Sequence, residues 1–414
     1  MVACSCGGKT GEDAELLARG VRSESLRADT GHDRSRRVSR GTPLFAEDPR
    51  RREQAGFRRV GIHDKLKRTN LDRKPSGRKS RSWVRRLPER KVVVVVSTLR
   101  GPVSPESLGQ VLMHEHVFVV GEELRRNSLT PWDERHRVED AVAKLRELRS
   151  AGVGTIVDPT VIGLGRYLPR LREVNDRVDL NIVPATGVYT YDDVPLQFRF
   201  RGPGLMFDVA EPMTELFVAE LTEGIADTGV KAAFLKCAID SPGLTPGVER
   251  VMRAVAAAHR RTGAPITVHT HPHNGSGRTA MRLLRSEDVD LTKVVLGHSG
   301  DTTDLDYLTE LADAGCLLGM DRFGLDAVLG FEQRVDTVVR LVRRGYATSV
   351  VLSHDTSCFI DWFGEQERER AAPNWHYLHI SREVLPALRA RGVTEEQIHT
   401  MLVDNPRKYF AEAP

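Results

Sequence analysis

Cysteine, aromatic side chains and long apolar runs are all scarce in this chain of 414 residues. Its five cysteines are odd in number and scattered, which fits a reducing cytoplasm, where the protein is expected, better than a disulfide framework. Cys4 and Cys6 have no further partners nearby and do not make a zinc site. The start MVACSCGG lacks the apolar core of a secretory signal, and the valine run at 92–96 is far too short to cross a bilayer, so no membrane partner is expected. Aromatic residues make up only 6% of the chain. Without regular aromatic interleaving or a known motif, basic charge alone is a weak sign of nucleic-acid binding, and none is expected.

Charge is unevenly spread. Residues 1–91 hold 25 Lys plus Arg against 12 Asp plus Glu, net +13, leaving 36 against 45, net −9, for residues 92–414. The stretch 34–91 is rich in arginine and has no apolar periodicity that would bury a core, so disorder is its expected state. The valines at 92–96 also offer alternative start positions in a bacterial gene. On that reading residues 1–91 are translated upstream sequence and the globular protein is 92–414.

Within 92–414 the most informative feature is Met113-His114-Glu115-His116-Val117. Two histidines one residue apart on a strand project from one face and can share a metal ion. Ligand-type side chains recur at the ends of later apolar runs: Lys236 after VKAAFL, His269 after PITV, His298 after KVVLG and Asp355 after SVVLSH. Further apolar runs at 154–158, 181–185 and 316–321 bring the strands to eight, counting the one that leads into His114. Between them lie amphipathic helical stretches such as 248–261 and 305–314. Eight strands alternating with helices predict a single α/β (β/α)8 TIM barrel, with its site at the carboxyl ends of the strands.

The motifs MHEHVF, FLKC, VHTH, GHSGDTTD, GMDRFG, LSHD and MLVDNPRKYF together resemble the phosphotriesterase family of the amidohydrolase superfamily, over roughly residues 100–410. TGVYTY at 186–191 and the arginine of GMDRFG look like the lactonase branch, and VIGLGRY, IADTGVKA, GLTPGVERV and PNWHYLHI are similar to bacterial phosphotriesterase-like lactonases of the N-acyl-homoserine lactonase or parathion hydrolase type. The resemblance implies two divalent cations, zinc first and cobalt, manganese or iron as alternatives. It assigns His114, His116 and Asp355 to the more buried ion, His269 and His298 to the more exposed one, and Lys236 to both. An ammonium cannot bridge two cations, so Lys236 is expected to carry carbon dioxide as a carbamate (N6-carboxylysine). A water shared by two such cations loses its proton near neutral pH and becomes the nucleophile. Asp355 is expected to act as ligand and proton acceptor.

In His269-Thr270-His271-Pro272-His273 composition does not choose the ligand; the family's ligand column falls on His269 and leaves His271 and His273 to the loop. His354 should point away from Asp355, towards the helical layer. Asp301 and Asp321 are expected to orient ligands or relay protons. Tyr189 and Arg322 are expected at the reacting bond, with Tyr191, Phe359, Trp362 and Trp375 lining the substrate groove. The function implied is hydrolysis of lactones, N-acyl-homoserine lactones or relatives, with secondary activity on organophosphate triesters. Two alternatives stand beside it: an aryldialkylphosphatase first, or a non-catalytic barrel with a nucleic-acid-binding basic tail. Dimers are common among proteins of this kind, so a homodimer is expected.

Overall fold

Each barrel strand is a short run of β-branched and aliphatic residues buried on both faces, the pattern a parallel sheet covered by helices requires. The computed structural model describes residues 94–411 apart from 130, so the expectation for 1–91 lies outside the described residues. Along the chain, β1 (Val96–Thr98) and β2 (Gly101–Val103) form an antiparallel hairpin. The barrel strands are β3 (Gln110–Leu112), β5 (Val153–Asp158), β6 (Asn181–Gly187), β7 (Phe234–Ala238), β8 (Ile266–His269), β9 (Val294–Gly297), β10 (Leu317–Met320) and β11 (Val350–Leu352). They pair in the order β11-β10-β9-β8-β7-β6-β5-β3, every neighbour parallel. This is the expected eight-stranded TIM barrel.

Closure falls between β3 and β11. The Met113 amide donates to the Leu352 carbonyl (3.3 Å), the Asp355 amide to the His114 carbonyl (3.0 Å) and the His116 amide to the Thr356 carbonyl (2.9 Å). The two chains then pair again, in parallel, as β4 (His116–Val119) and β12 (Ser357–Ile360). One expectation is corrected here. His114 does not sit on a regular strand: it lies in the bend between β3 and β4, and the two histidines converge because the bend turns them.

Val111, Met113, Val157, Val183, Phe234, Val295 and Val351 fill the barrel interior with Val96, Tyr409 and Phe410. A larger shell joins strands to helices. The helix Pro246–Thr262 illustrates how that shell forms: Thr245 caps its first turn, proline fixes the next position, and Val248, Val251, Met252 and Val255 are buried at three- and four-residue spacing. Each such side chain contributes about 1.5–3 kcal/mol of burial. Among the described residues no helix is long and apolar enough to cross a membrane.

The end of β6 shows how tightly the barrel mouth is packed. Gly187 has φ 147°, and a β-carbon there would overlap the carbonyl oxygen of Lys236 on β7. Gly187→Ala should therefore destabilise the protein by about 2–4 kcal/mol, combining backbone strain with overpacking. Urea or thermal denaturation checks this, and an unchanged midpoint would mean that β6 shifts freely against β7.

Candidate metal centre

At the carboxyl ends of the strands, His114, His116, Lys236, His269 and His298 are all buried, and Asp355 is nearly so. Only Lys236 and His269 lie within barrel strands; His114, His298 and Asp355 lie just past the ends of theirs. His298 and Asp355 adopt left-handed backbone, φ 63° and 55°, which costs a residue with a β-carbon about 1–2 kcal/mol and ends the ladder.

The imidazole protons point outwards. His114 Nδ1 donates to Asp321 Oδ2 (2.8 Å) and His298 Nδ1 to Asp321 Oδ1 (2.9 Å), which also receives the His298 amide (2.7 Å). Gly297 and Gly319 leave room for this carboxylate: β-carbons there would come within 3.1 and 2.7 Å of it. His116 Nδ1 donates to Thr160 Oγ1 (2.7 Å), whose own proton goes to Asp158. His269 Nε2 donates to Asp240 (2.5 Å).

The lone pairs that remain point inwards. His298 Nε2 and His269 Nδ1 face each other at 2.9 Å. His114 Nε2 and His116 Nε2 each lie 3.3 Å from Asp355 Oδ1, and Lys236 Nζ is 3.4 Å from His114 Nε2. Lone pairs opposed to lone pairs and to a carboxylate repel unless a cation sits among them, and neutral imidazole with carboxylate suits zinc and similar divalent ions. His114, His116 and Asp355 are close enough to hold an ion together; His114, His298 and Asp321 also cluster, but there the carboxylate already receives the two ring protons.

Burial pulls His269 down to about 4, carries His298 well below the ordinary imidazole range and, with the nearby Lys236 charge, lowers His114. All three are therefore neutral donors at physiological pH. Burial likewise brings the Lys236 ammonium down to about 8.

Arg322 donates from Nε to Asp355 Oδ2 (3.1 Å) and from Nη1 to Asp301 Oδ2 (2.9 Å), and Arg334 pairs with the other oxygen of Asp301 (2.8 Å). The Tyr189 hydroxyl lies 3.3 Å from His269 Nδ1 and touches the Tyr191 hydroxyl. Burial, reinforced by Tyr191, keeps Tyr189 well above its ordinary pKa, so it stays a proton donor. A cavity of about 130 Å³ opens over these groups, walled by Val119, Leu164, Tyr191, Ile360 and Trp375, with Trp362 and Phe363 at its rim.

Phe359 departs from the expectation for the groove. Strand alternation in β12 turns Ile360 to the cavity and Phe359 away, edge-on to Trp132 with Arg137 over its face. His271 is half-buried and His273 exposed, neither on the cavity wall. His354 is turned from the cavity, as its place beside Asp355 suggested. Asp158, Thr160 and Asp240, which hold His116 and His269, went unnoticed in the sequence. The available signal was position: Asp158 ends β5 and Asp240 lies two residues past β7, at the mouth where ligands gather.

Residues 94–410 match the model of the phosphotriesterase family. A phosphotriesterase homology protein of Mycobacterium tuberculosis (strain ATCC 25618 / H37Rv) is 55% identical over 316 residues, 76% of this chain and 97% of that protein. An aryldialkylphosphatase of Saccharolobus solfataricus is 37% identical over 311 residues, 75% of this chain and 97% of that protein. The solved structure of the phosphotriesterase from Mycobacterium tuberculosis superposes with a TM-score of 0.76 at 55% identity, covering 77% of this chain and 98% of that one. With so much of the barrel matched, and inward lone pairs that suit the metal dependence of the family, the chain belongs to the phosphotriesterase family and is a hydrolase of that kind.

Proposed function

We propose that the protein hydrolyses lactones, N-acyl-homoserine lactones or related rings, and acts secondarily on organophosphate triesters. The observation that carries the reading is the convergence of four imidazole lone pairs, a buried lysine and Asp355 on one point under a small cavity. His114, His116 and Asp355 would hold one divalent ion, His269 and His298 a second. Lys236 would serve both as a carbamate, formed when its neutral amine adds carbon dioxide and loses a proton; its lowered pKa of about 8 supports this. When bound, two such ions acidify a water and polarise the carbonyl or phosphoryl oxygen.

The protein's own groups do the rest. Asp355 takes the proton of the attacking water while Arg322 and Asp301 keep its carboxylate oriented. The water oxygen bonds to the carbonyl carbon, the ring C–O bond breaks, and the departing alkoxide takes up a proton to leave a hydroxy acid. Tyr189, still protonated, donates a hydrogen bond to that alkoxide. The cavity suits a ring headgroup, and an acyl chain would leave past Trp362 and Phe363. The reverse ranking, phosphotriesters first, is favoured by the names of two relatives, the aryldialkylphosphatase and the solved phosphotriesterase.

Lys236→Ala should lose most bound metal and lower turnover on the order of 10³-fold, with short carboxylic acids restoring part of both. Metal analysis and kinetics on the same preparation read this, and two ions retained at full turnover would remove the bridging role.

Tyr189→Phe ranks the substrates. An aryl phosphotriester expels a weakly basic phenolate, whereas a lactone expels a strongly basic alkoxide that needs a donor. The substitution should cost about 10–100-fold in kcat/KM for lactones and distinctly less for an aryl dialkyl phosphate. The comparison uses a lactone series and a phosphotriester on one metal-loaded preparation. A larger loss for the phosphotriester would sink the lactonase ranking.

A further inference from the structure

Glu115 lies between two candidate ligands, and as the middle of a His-x-His motif it is easily taken for a spacer. Its side chain is fully buried and does not line the cavity. It accepts four hydrogen bonds. Oε1 receives the Ser353 hydroxyl (2.7 Å), the His354 amide (2.9 Å) and His354 Nδ1 (2.6 Å), and Oε2 receives the Thr356 amide (3.2 Å). The amides on either side of Asp355 thus converge on one carboxylate, and Asp355 between them has φ 55°. Backbone N–H groups flanking a left-handed residue form a concavity that binds anions, and here the anion comes from the chain itself.

We propose that Glu115 is a positioning residue: seated in that concavity, it holds Asp355 in the left-handed conformation that aims its carboxylate at His114, His116 and Arg322. His354 completes the clamp. Its Nε2 accepts the Ile380 amide (2.9 Å), which leaves Nδ1 as the nitrogen that donates to Glu115. Its carbonyl accepts the Trp375 indole N–H (2.7 Å), and the Thr356 hydroxyl donates to the Trp375 carbonyl (3.0 Å). One carboxylate therefore sets both the Asp355 turn and the cavity wall formed by Trp375. Ser353 joins the same clamp to the His114 side of the seam: its Oγ receives the His114 amide (2.9 Å) and lies 2.8 Å from the His114 carbonyl. Glutamine cannot substitute, because its amide nitrogen would present N–H to donors at one of the two oxygen positions.

The inference rests on the metal-hydrolase reading, so the test is made on the full chain loaded with zinc, with Lys236→Ala in parallel. Glu115→Gln should keep its far-UV circular dichroism yet hold zinc about 10–100-fold more weakly against a competing chelator, with a comparable fall in kcat and little change in KM. A purely structural role would lower Tm while leaving zinc affinity and kcat per folded molecule unchanged, and that result overturns the proposal. If Glu115→Gln does not fold, Ser353→Ala removes one of the four donors instead. A loss of about three- to tenfold in zinc retention then supports the proposal, and no loss overturns it. Zinc lost by Lys236→Ala but kept by Glu115→Gln rejects the role of Glu115 alone; zinc bound by neither the parent protein nor any variant rejects the hydrolase reading with it.

Discussion

The seam between β3 and β11 is the contact on which the site depends. Eight parallel strands bring their carboxyl ends to one mouth, but the groups there meet only if the first and last strands close. At this seam β3 and β11 end at Leu112 and Leu352, single backbone hydrogen bonds join residues 113–116 to 352–356, and the two segments then pair as β4 and β12. His114, His116 and Asp355 all occur within or at the edge of that interruption. A regular ladder would engage the backbone and turn alternate side chains apart; the bend and the left-handed residue free three ligand-type groups to meet.

Bringing so many polar groups into a buried pocket is costly unless each finds a partner. The structure meets this by direction. Ring protons face outwards to Asp321, Asp240 and, through Thr160, Asp158, while ring lone pairs face inwards. Arg322 neutralises Asp355 and Asp301 at the rim, with Arg334 behind. The outer carboxylates set tautomer and ring orientation, which fixes the direction of the inward lone pairs. On the reading proposed above, such a centre would serve acyl and phosphoryl transfer alike, because both need a water activated and an oxygen polarised. The choice between them would then fall to side chains at the leaving group and rim, Tyr189, Arg322 and the aromatic wall.

The barrel was legible in the sequence because strand and helix periods differ, and apolar runs alternate with amphipathic stretches such as 246–262. Two strand ends were legible too, since His269 and His298 close apolar runs with a polar side chain, whereas Lys236 lies inside β7. Exact strand bounds were not. The run 230–236 pairs only from Phe234 and continues to Ala238, because pairing depends on the register of neighbouring strands. Phe359 read as part of the substrate groove, whereas pairing with β4 turns it outwards.

The sequence by itself determined the fold class, the eight strands and the set of chemically suitable side chains at their ends, because these follow from local periodicity and residue type. Only the tertiary structure decided which carboxylate serves which histidine, that Asp321 serves two, and that Glu115 grips both amides flanking Asp355. Those partners lie up to 241 residues apart in the chain. Hydrogen bonds act over about 3 Å, so no local pattern encodes them until the barrel has closed.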